Sequence, residues 1–142
     1  MLWSTGPTTK VSSWKGKGRR MLIDWKKIPV APGMRAGSER QGICADKMSA
    51  VRVVTSPDAK FDGKTHWHDN EQILVMISGM VRLVVDDREF EAHPGDFVFF
   101  PPGSRHAAVG VGKEGAVYYE IFAPARTDQL PGWVGKSILR FD

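Results

Sequence analysis

Short apolar runs, separated by clusters of Gly, Pro, Asp and Ser, dominate the chain from residue 21 onward. No long window repeats its apolar positions with the helical period of about 3.6 residues, so no long helix is predicted. Apolar runs that recur at roughly 8–12 residues, with turn residues between them, are typical of a β-sandwich or barrel. The pattern therefore predicts an all-β fold with strands at Val51–Thr55, Gln72–Ser78, Met80–Val85, Glu89–Ala92, Phe97–Phe100 and Ala116–Phe122.

Two of the predicted turns are marked by their residue types. Gly79 directly follows the strand Gln72–Ser78 and is predicted to close it. Asp86 and Asp87 lie between two apolar runs and predict the two-residue tip of a hairpin.

The alternation of residues 66–77 separates two faces of one extended segment. Because alternate residues of a strand point the same way, His66, His68 and Gln72 share a face, whereas Glu71 points away. Both faces of 73–77 are apolar, so one is expected to line the interior and the other to need cover from a further segment or a second subunit. The two apolar rows considered for such cover are Ile73, Val75 and Ile77, and Val81, Leu83 and Val85.

The basic character of the chain is confined to its first residues. The 142 residues include 20 basic and 16 acidic side chains. Residues 1–20 carry five of the basic side chains and no acidic one, so residues 21–142 carry 15 basic and 16 acidic side chains. Residues 1–20 are predicted to be a disordered basic tail and residues 21–142 a single domain. Because the domain has no basic excess, no nucleic-acid partner is predicted.

Composition also bears on membranes and on the cellular compartment. No apolar run approaches the roughly 18 residues of a transmembrane helix, so no membrane partner is expected. Residues 1–20 contain no apolar stretch of the kind found in secretory signals. The single cysteine, Cys44, cannot form an intramolecular disulfide and fits a reducing compartment. We therefore expect a cytoplasmic protein in which Cys44 is an inert buried thiol.

Three of the four histidines occur in a pattern typical of metal sites. His66 and His68 flank Trp67, which puts two imidazoles on one face of a strand, and His106 follows a second turn-rich segment. Imidazole is a good ligand for Mn, Fe, Co, Ni, Cu and Zn. The fourth histidine, His93, lies in a His-Pro-Gly turn and is expected to have no ligand role.

The two histidine segments together resemble the two motifs of the cupin superfamily. The first motif, His-x-His followed by an acid and then Gly, is matched by His66, His68, Gln72 and Gly79. The second motif is matched by Gly95, Pro101, Gly103 and His106. The resemblance covers about residues 40–125 and implies a double-stranded β-helix, a small jelly-roll barrel with a metal inside one end. It also implies a homodimer.

The chain departs from the family motifs at three positions. Lys60 stands where the first motif begins with Gly, and Gly110 stands where the second ends with Asn. Gln72 stands where the family has a Glu ligand, and an alternative register would use Glu71 instead. The alternation of the strand and the spacing to Gly79 favour Gln72.

The resemblance implies that four residues hold a divalent transition metal, which is Ni, Mn, Fe, Zn or Co. These residues are His66, His68, Gln72 and His106. Because all four are neutral ligands, the ion would keep its full +2 charge and act as a stronger Lewis acid than it would beside a carboxylate. A proton-transfer reaction would then need its base elsewhere in the barrel.

A narrower resemblance involves the last predicted strand. The stretches 66–72 and 120–126 are similar to those of pectin-degradation cupins of the KdgF type. In that family an Asp, a Phe and an Arg line the pocket, which implies catalytic roles for Glu120, Phe122 and Arg126. Glu120 replaces the family's Asp and is longer by one methylene.

The narrower resemblance implies the conversion of 4,5-unsaturated monouronates into linear ketouronates. In this reaction Arg126 would pair with the uronate carboxylate, Glu120 would transfer a proton and Phe122 would pack against the sugar ring. Two alternatives stay open. One is a metal-dependent dioxygenase or lyase that acts on a small carbonyl or phenolic compound, and the other is a cupin that binds a small molecule without turnover.

Overall fold

Seven antiparallel strands form one sheet in the computed structural model, which describes residues 22–142. The strands are β1 (Ala31–Pro32), β2 (Ser38–Cys44), β3 (Ser49–Thr55), β4 (Glu71–Val85), β5 (Arg88–Ala92), β6 (Phe97–Phe100) and β7 (His106–Ala123). The predicted all-β jelly-roll fold is confirmed. Two 3₁₀ turns, Trp25–Lys27 and Thr127–Gln129, are the helical segments of residues 22–142, and neither has the length to span a membrane. The tail predicted over residues 1–20 lies outside the described residues.

The two longest strands, β4 and β7, hold the other strands in place. They pair with each other from Glu71 opposite Ala123 to Val85 opposite His106. The other edge of β7 carries β3, followed by β2 and β1. On its other edge β4 accommodates two short partners, because residues 72–75 pair with β6 and residues 81–85 pair with β5. Each end of β4 therefore lies between two strands.

The prediction that Gly79 closes a strand is wrong, since β4 runs through it. Gly79 has a φ of +74°, and a Cβ at this position would overlap the carbonyl oxygen of Gly115 on β7. The pairing of β4 with β7 shifts register between Met76 and Ser78 and again between Gly79 and Val81. A glycine inside a strand pattern thus marks a bulge that bends a continuous strand, and not the end of the strand.

The bulge changes which residues face the interior. Leu74 and Met76 are buried before it, whereas Val81 and Leu83 are buried after it. The row of Val81, Leu83 and Val85 therefore belongs to the core, and the expectation that it needs outside cover is wrong. The alternation of inward and outward residues cannot be extended across the bulge, because the extra residues there exchange the two faces of the strand.

The hairpin tip at Asp86 and Asp87 is confirmed. Both residues have positive φ, 45° and 67°, and they join Val85 to its cross-strand partner Arg88. Two left-handed residues in a row match the right-handed twist of the flanking strands, and Asp tolerates this conformation better than most residues.

Side chains from both long strands fill the core, and the opposite face of β4 is exposed. The buried cluster is Val51, Val53, Leu74, Met76, Val81, Leu83, Ala92, Phe100, Ala116, Tyr118 and Phe122. On the other face, Ile73 and Ile77 are 37% and 44% exposed, and Phe97 and Phe99 of β6 are 71% and 54% exposed. The alternation predicted over residues 66–77 is therefore correct, and in the described chain nothing covers the outer row.

We predict that Gly79→Ala destabilises the protein more than Gly63→Ala does. Both glycines have a φ near +70°, so each substitution incurs the left-handed penalty of about 1–2 kcal/mol. Only Gly79 also lies against backbone, because a Cβ at Gly63 would meet no atom within 4 Å. Urea unfolding of the two variants measures the difference in the free energy of unfolding. Equal losses of stability would show that the close approach of β7 to Gly79 adds no cost.

Candidate metal centre

Three buried histidines meet where the segment before β4 pairs with the start of β7. The backbone N–H of His66 donates to the carbonyl of His106 over 3.0 Å, and the N–H of His106 donates back over 2.9 Å. The N–H of Gly103 donates to the carbonyl of His68 over 2.9 Å. One ring nitrogen of each of His66, His68 and His106 lies within 4.8 Å of the others. The two histidine segments singled out in the sequence are thus brought together by backbone hydrogen bonds.

Two of the rings are oriented by carbonyl groups behind them. His68 Nδ1–H donates to the carbonyl of Asn70 over 3.1 Å, and His106 Nδ1–H donates to the carbonyl of Ser104 over 2.8 Å. This leaves each Nε2 with its lone pair directed into the cluster, an arrangement typical of metal-binding histidines. His106 Nε2 is buried and has no hydrogen-bond partner, which is a cost that a bound cation would remove.

The side chain of Gln72 completes the cluster. Gln72 is buried, and its Oε1 lies 3.0 Å from His68 Nε2. Since His68 donates from Nδ1, these two atoms are both acceptors and need a cation between them. Two ligands at right angles and about 2.1 Å from a metal are about 3.0 Å apart, so the donor set fits a divalent ion. Glu71 is exposed on the opposite face, so the structure brings Gln72 and not Glu71 to the histidines.

Burial keeps the imidazoles neutral. Loss of solvent, followed by the neighbouring His106 and His68, lowers the pKa of His66 to about 3. Loss of solvent likewise lowers the pKa of His106 to about 4. Burial and then the charge of Arg126 lower the pKa of His68. At neutral pH these rings are therefore in the unprotonated form that binds metals.

The other side of His66 is covered by the last residues of the chain. Trp67 pairs with Arg140 through two backbone hydrogen bonds of 2.9 Å, and the guanidinium of Arg140 lies over the indole at 4.5 Å. This pairing brings the ring of Phe141 to 6.0 Å from the ring of His66. Trp67 itself points away from the cluster, as expected from its position between two inward residues.

Glu120 contacts the candidate ligand Gln72. It lies on β7, beside Leu74 of β4, and its carboxylate accepts a hydrogen bond from Gln72 Nε2–H. This contact orients the amide so that its oxygen faces His68. Burial raises the pKa of Glu120, against the opposing effects of Arg126 and Arg35. The structure thus places an acid capable of holding a proton next to the cluster.

Arg126 is close to the cluster but engaged with another side chain. Its Nε–H and Nη2–H donate to the two carboxylate oxygens of Asp128, over 3.2 and 2.9 Å. Asp128 also accepts from Ser137 Oγ and from the backbone N–H of Ile138, both over 3.2 Å. The sequence suggests that the guanidinium of Arg126 is free to bind a substrate carboxylate. In the structure, Asp128 instead accepts hydrogen bonds from its Nε and Nη2.

A cavity extends from the cluster toward β2 and β3. Its lining includes His66, Gln72, His106, Glu120 and Arg126. Phe122 is fully buried with its ring 5.8 Å from that of His68, so it supports a histidine from behind. The aromatic residues that line the cavity are instead Tyr118 and Phe100, and the ring of Phe100 is 4.7 Å from that of His106.

Sequence reasoning missed two charged lining residues, Arg35 and Arg40. They come from β2 and from the turn before it, outside the histidine motifs. For Arg40, the sequence signal was an arginine within a short strand, whereas Arg35 in the preceding turn had no such signal. Cys44 is buried, as expected, and His93 lies on the surface beside Glu91, outside the cluster.

Comparison with known proteins identifies relatives of this architecture. The family model described as a cupin domain matches residues 52–122, which is half of the chain. No curated protein sequence matches the chain.

Solved structures show the same fold. An RmlC-like cupin from Shewanella frigidimarina is 25% identical, with a TM-score of 0.65, and the match covers 76% of this chain and 94% of that one. The polyketide cyclase RemF from Streptomyces resistomycificus is 17% identical, with a TM-score of 0.63 and coverages of 82% and 87%. KdgF from Halomonas sp. is 21% identical, with a TM-score of 0.63 and coverages of 74% and 94%.

We predict that metal binding depends on His106 and not on His93. Metal-free protein titrated with Co²⁺ should show a rise in Tm, because the ion binds the folded state alone. His106→Ala should abolish the rise, since it removes one of the three clustered imidazoles. His93→Ala removes an exposed histidine and serves as the matched control, with an unchanged rise. If Co²⁺ still raises the Tm of the His106→Ala protein, the cluster is not the metal site.

Proposed function

This chain belongs to the cupin family, and on that premise we propose that it is a metal-dependent enzyme that converts 4,5-unsaturated monouronates into linear ketouronates. The observation that carries the proposal is the buried His66, His68 and His106 cluster, joined to Glu120 through Gln72. It combines a neutral donor set with an adjacent acid at the end of a cavity. The reducing compartment suggested by the single cysteine favours a cytoplasmic location.

The proposed ligands are His66, His68, Gln72 and His106, and a divalent metal held there supplies Lewis acidity. Neutral ligands leave the charge of the ion uncompensated, so the site favours an oxygen that gains negative charge during the reaction. The metal is Ni, Mn, Fe, Zn or Co, each of which accepts imidazole and amide oxygen.

The reaction needs one group that moves a proton. Opening the ring breaks the bond between carbon 1 and the ring oxygen, and the anomeric hydroxyl loses its proton as carbon 1 becomes an aldehyde. The resulting enol becomes a ketone when carbon 4 gains a proton. The overall change relocates one proton and uses no oxidant. Glu120 is the acid in the cavity beside the cluster, and we assign this transfer to it.

Arg126 and Phe122 support the site more than they touch the substrate. The Asp128 pair occupies Nε and Nη2 of Arg126 and leaves Nη1 for a ligand. The guanidinium of Arg126 also lies 4.9 Å from the centre of the Phe122 ring, which itself packs against His68. We propose that Arg126 holds Phe122, so that the ring of His68 stays in place.

We predict that the metal-loaded protein removes the enol-ether absorbance of unsaturated galacturonate faster than the spontaneous reaction does. His106→Ala should abolish the acceleration together with the bound metal. Glu120→Gln should keep the metal and lower kcat by about 100-fold or more, the usual effect of losing a general acid or base. Stopped-flow ultraviolet absorbance and elemental analysis of the same samples measure both quantities.

A fully metallated protein without acceleration contradicts the proposal. Iron or copper in that sample, with oxygen consumption on a diketone or phenol, would favour a dioxygenase. Ligand binding without any turnover would favour a cupin that only binds.

We further propose that two copies of the chain pair through the outer apolar face formed by Ile73, Ile77, Phe97 and Phe99. These side chains are contiguous, because Ile73 pairs with Phe99 and Val75 pairs with Phe97 across β4 and β6. Four large exposed apolar side chains on one face of the sheet are more than scattered surface residues, and a second copy would bury them symmetrically.

We predict that the wild-type protein has twice the monomer mass of 15.8 kDa in light scattering after size exclusion. Phe99→Glu should convert it to a monomer, since a charge would be buried at the centre of the interface. Val134 is 92% exposed and lies outside the sheet, so Val134→Glu is the control and should stay dimeric. A monomeric wild-type protein contradicts the pairing.

A further inference from the structure

The charged side chains of the cavity do not balance one another. Three guanidinium groups line it, from Arg35, Arg40 and Arg126, against the single carboxylate of Glu120. Asp128 neutralises Arg126 through a two-bond pair, and Glu120 accepts from the amide of Gln72. Arg35 and Arg40 are therefore left without a carboxylate of their own.

Arg40 shows this imbalance most clearly. It lies on β2, opposite Val53 of β3, and its Nε is buried with no hydrogen-bond partner. Among the described residues no acidic group lies within 4 Å of its guanidinium nitrogens. A buried N–H of a charged group that makes no hydrogen bond costs free energy, and an anion in the cavity would remove that cost. Burial, and then the nearby charge of Arg126, lower the pKa of Arg40, against the opposing charges of Asp128 and Glu120.

Arg35 adds a second positive charge to the lining of the cavity. Its guanidinium lies 4.9 Å from the centre of the Phe61 ring, which holds the side chain in place. Its charge also lowers the pKa values of His66 and Glu120. The two arginines thus add positive charge to the wall of the cavity.

We propose that Arg40, assisted by Arg35, is the subsite for the carboxylate of the substrate, and that Arg126 is a positioning residue held by Asp128. A guanidinium matches a planar carboxylate through two parallel hydrogen bonds, and the Arg126–Asp128 pair shows this geometry within the same site. The inference rests on the proposed function for the identity of the sugar acid. The existence of an anion subsite depends only on the two guanidinium groups that have no carboxylate partner.

The first experiment measures binding without turnover. D-galacturonate has no double bond between carbons 4 and 5 and so cannot undergo the proposed reaction, while galactose is its neutral counterpart and galactose 6-phosphate carries a phosphate at the same carbon. Calorimetry on the metal-loaded protein should give at least tenfold tighter binding of galacturonate than of galactose. Galacturonate should also bind more tightly than galactose 6-phosphate.

Variants at Arg40 assign the binding to this side chain. Arg40→Gln should weaken galacturonate binding by at least tenfold and leave galactose unchanged. Arg40→Lys keeps the positive charge but cannot make two parallel hydrogen bonds to a carboxylate. It should therefore recover part of the lost galacturonate affinity and show that folding is intact. Arg82 is an exposed arginine on β4, outside the cavity, and Arg82→Gln should bind as the wild type does. On unsaturated galacturonate, Arg40→Gln should raise KM with little change in kcat.

The outcomes separate this inference from the proposed reaction. Unchanged galacturonate binding in Arg40→Gln overturns the subsite, as does binding that disappears when the metal is removed, since the carboxylate would then sit on the metal. Tighter, Arg40-dependent binding of galactose 6-phosphate overturns the choice of a carboxylate. If galacturonate binding depends on Arg40 but no uronate is converted, the subsite stands and the proposed reaction fails.

Discussion

The backbone bridge between His66 and His106 is the constraint on which the site depends. Two hydrogen bonds, of 3.0 and 2.9 Å, join the segment before β4 to the first residue of β7. His106 also pairs with Val85, the last residue of β4, so the pairing of the long strands and the position of the histidines are set together. Because backbone groups hold the two ligand segments, the side chains are free to present their lone pairs to the cavity.

Short-range patterns in the sequence predicted the ligand segments and most strands. The alternation from His66 to Met76 was correct although residues 69–70 form a bend before β4 begins at Glu71, and Phe97–Phe100 was correct at both ends. The prediction failed at Gly79, where a bulge is a property of the close approach of β7 and not of β4 alone. It also missed the first ten residues of β7, a glycine-containing stretch that is a strand because it pairs with β4.

The charged residues of the site were harder to foresee than the neutral ones. His66 and His68 are recognisable from their spacing within one segment. Arg40 instead lines the cavity from β2, and Asp128 binds Arg126 from a 3₁₀ turn after β7. Whether an arginine is paired depends on which acid the fold brings beside it. The Arg126–Asp128 pair illustrates this, since burial makes such a pair a device for holding geometry more than a source of stability.

The pairing of Trp67 with Arg140 has a consequence for how a metal ion would exchange. With Phe141 against one side of His66 and the cavity on the other, the described part of the chain leaves the ligands accessible from the cavity. Metal and substrate would then share one passage. A sugar acid held in that passage would block the exit of the ion, so that turnover and metal loss become competing events. An enzyme saturated with substrate would then lose its metal to a chelator more slowly than the substrate-free enzyme.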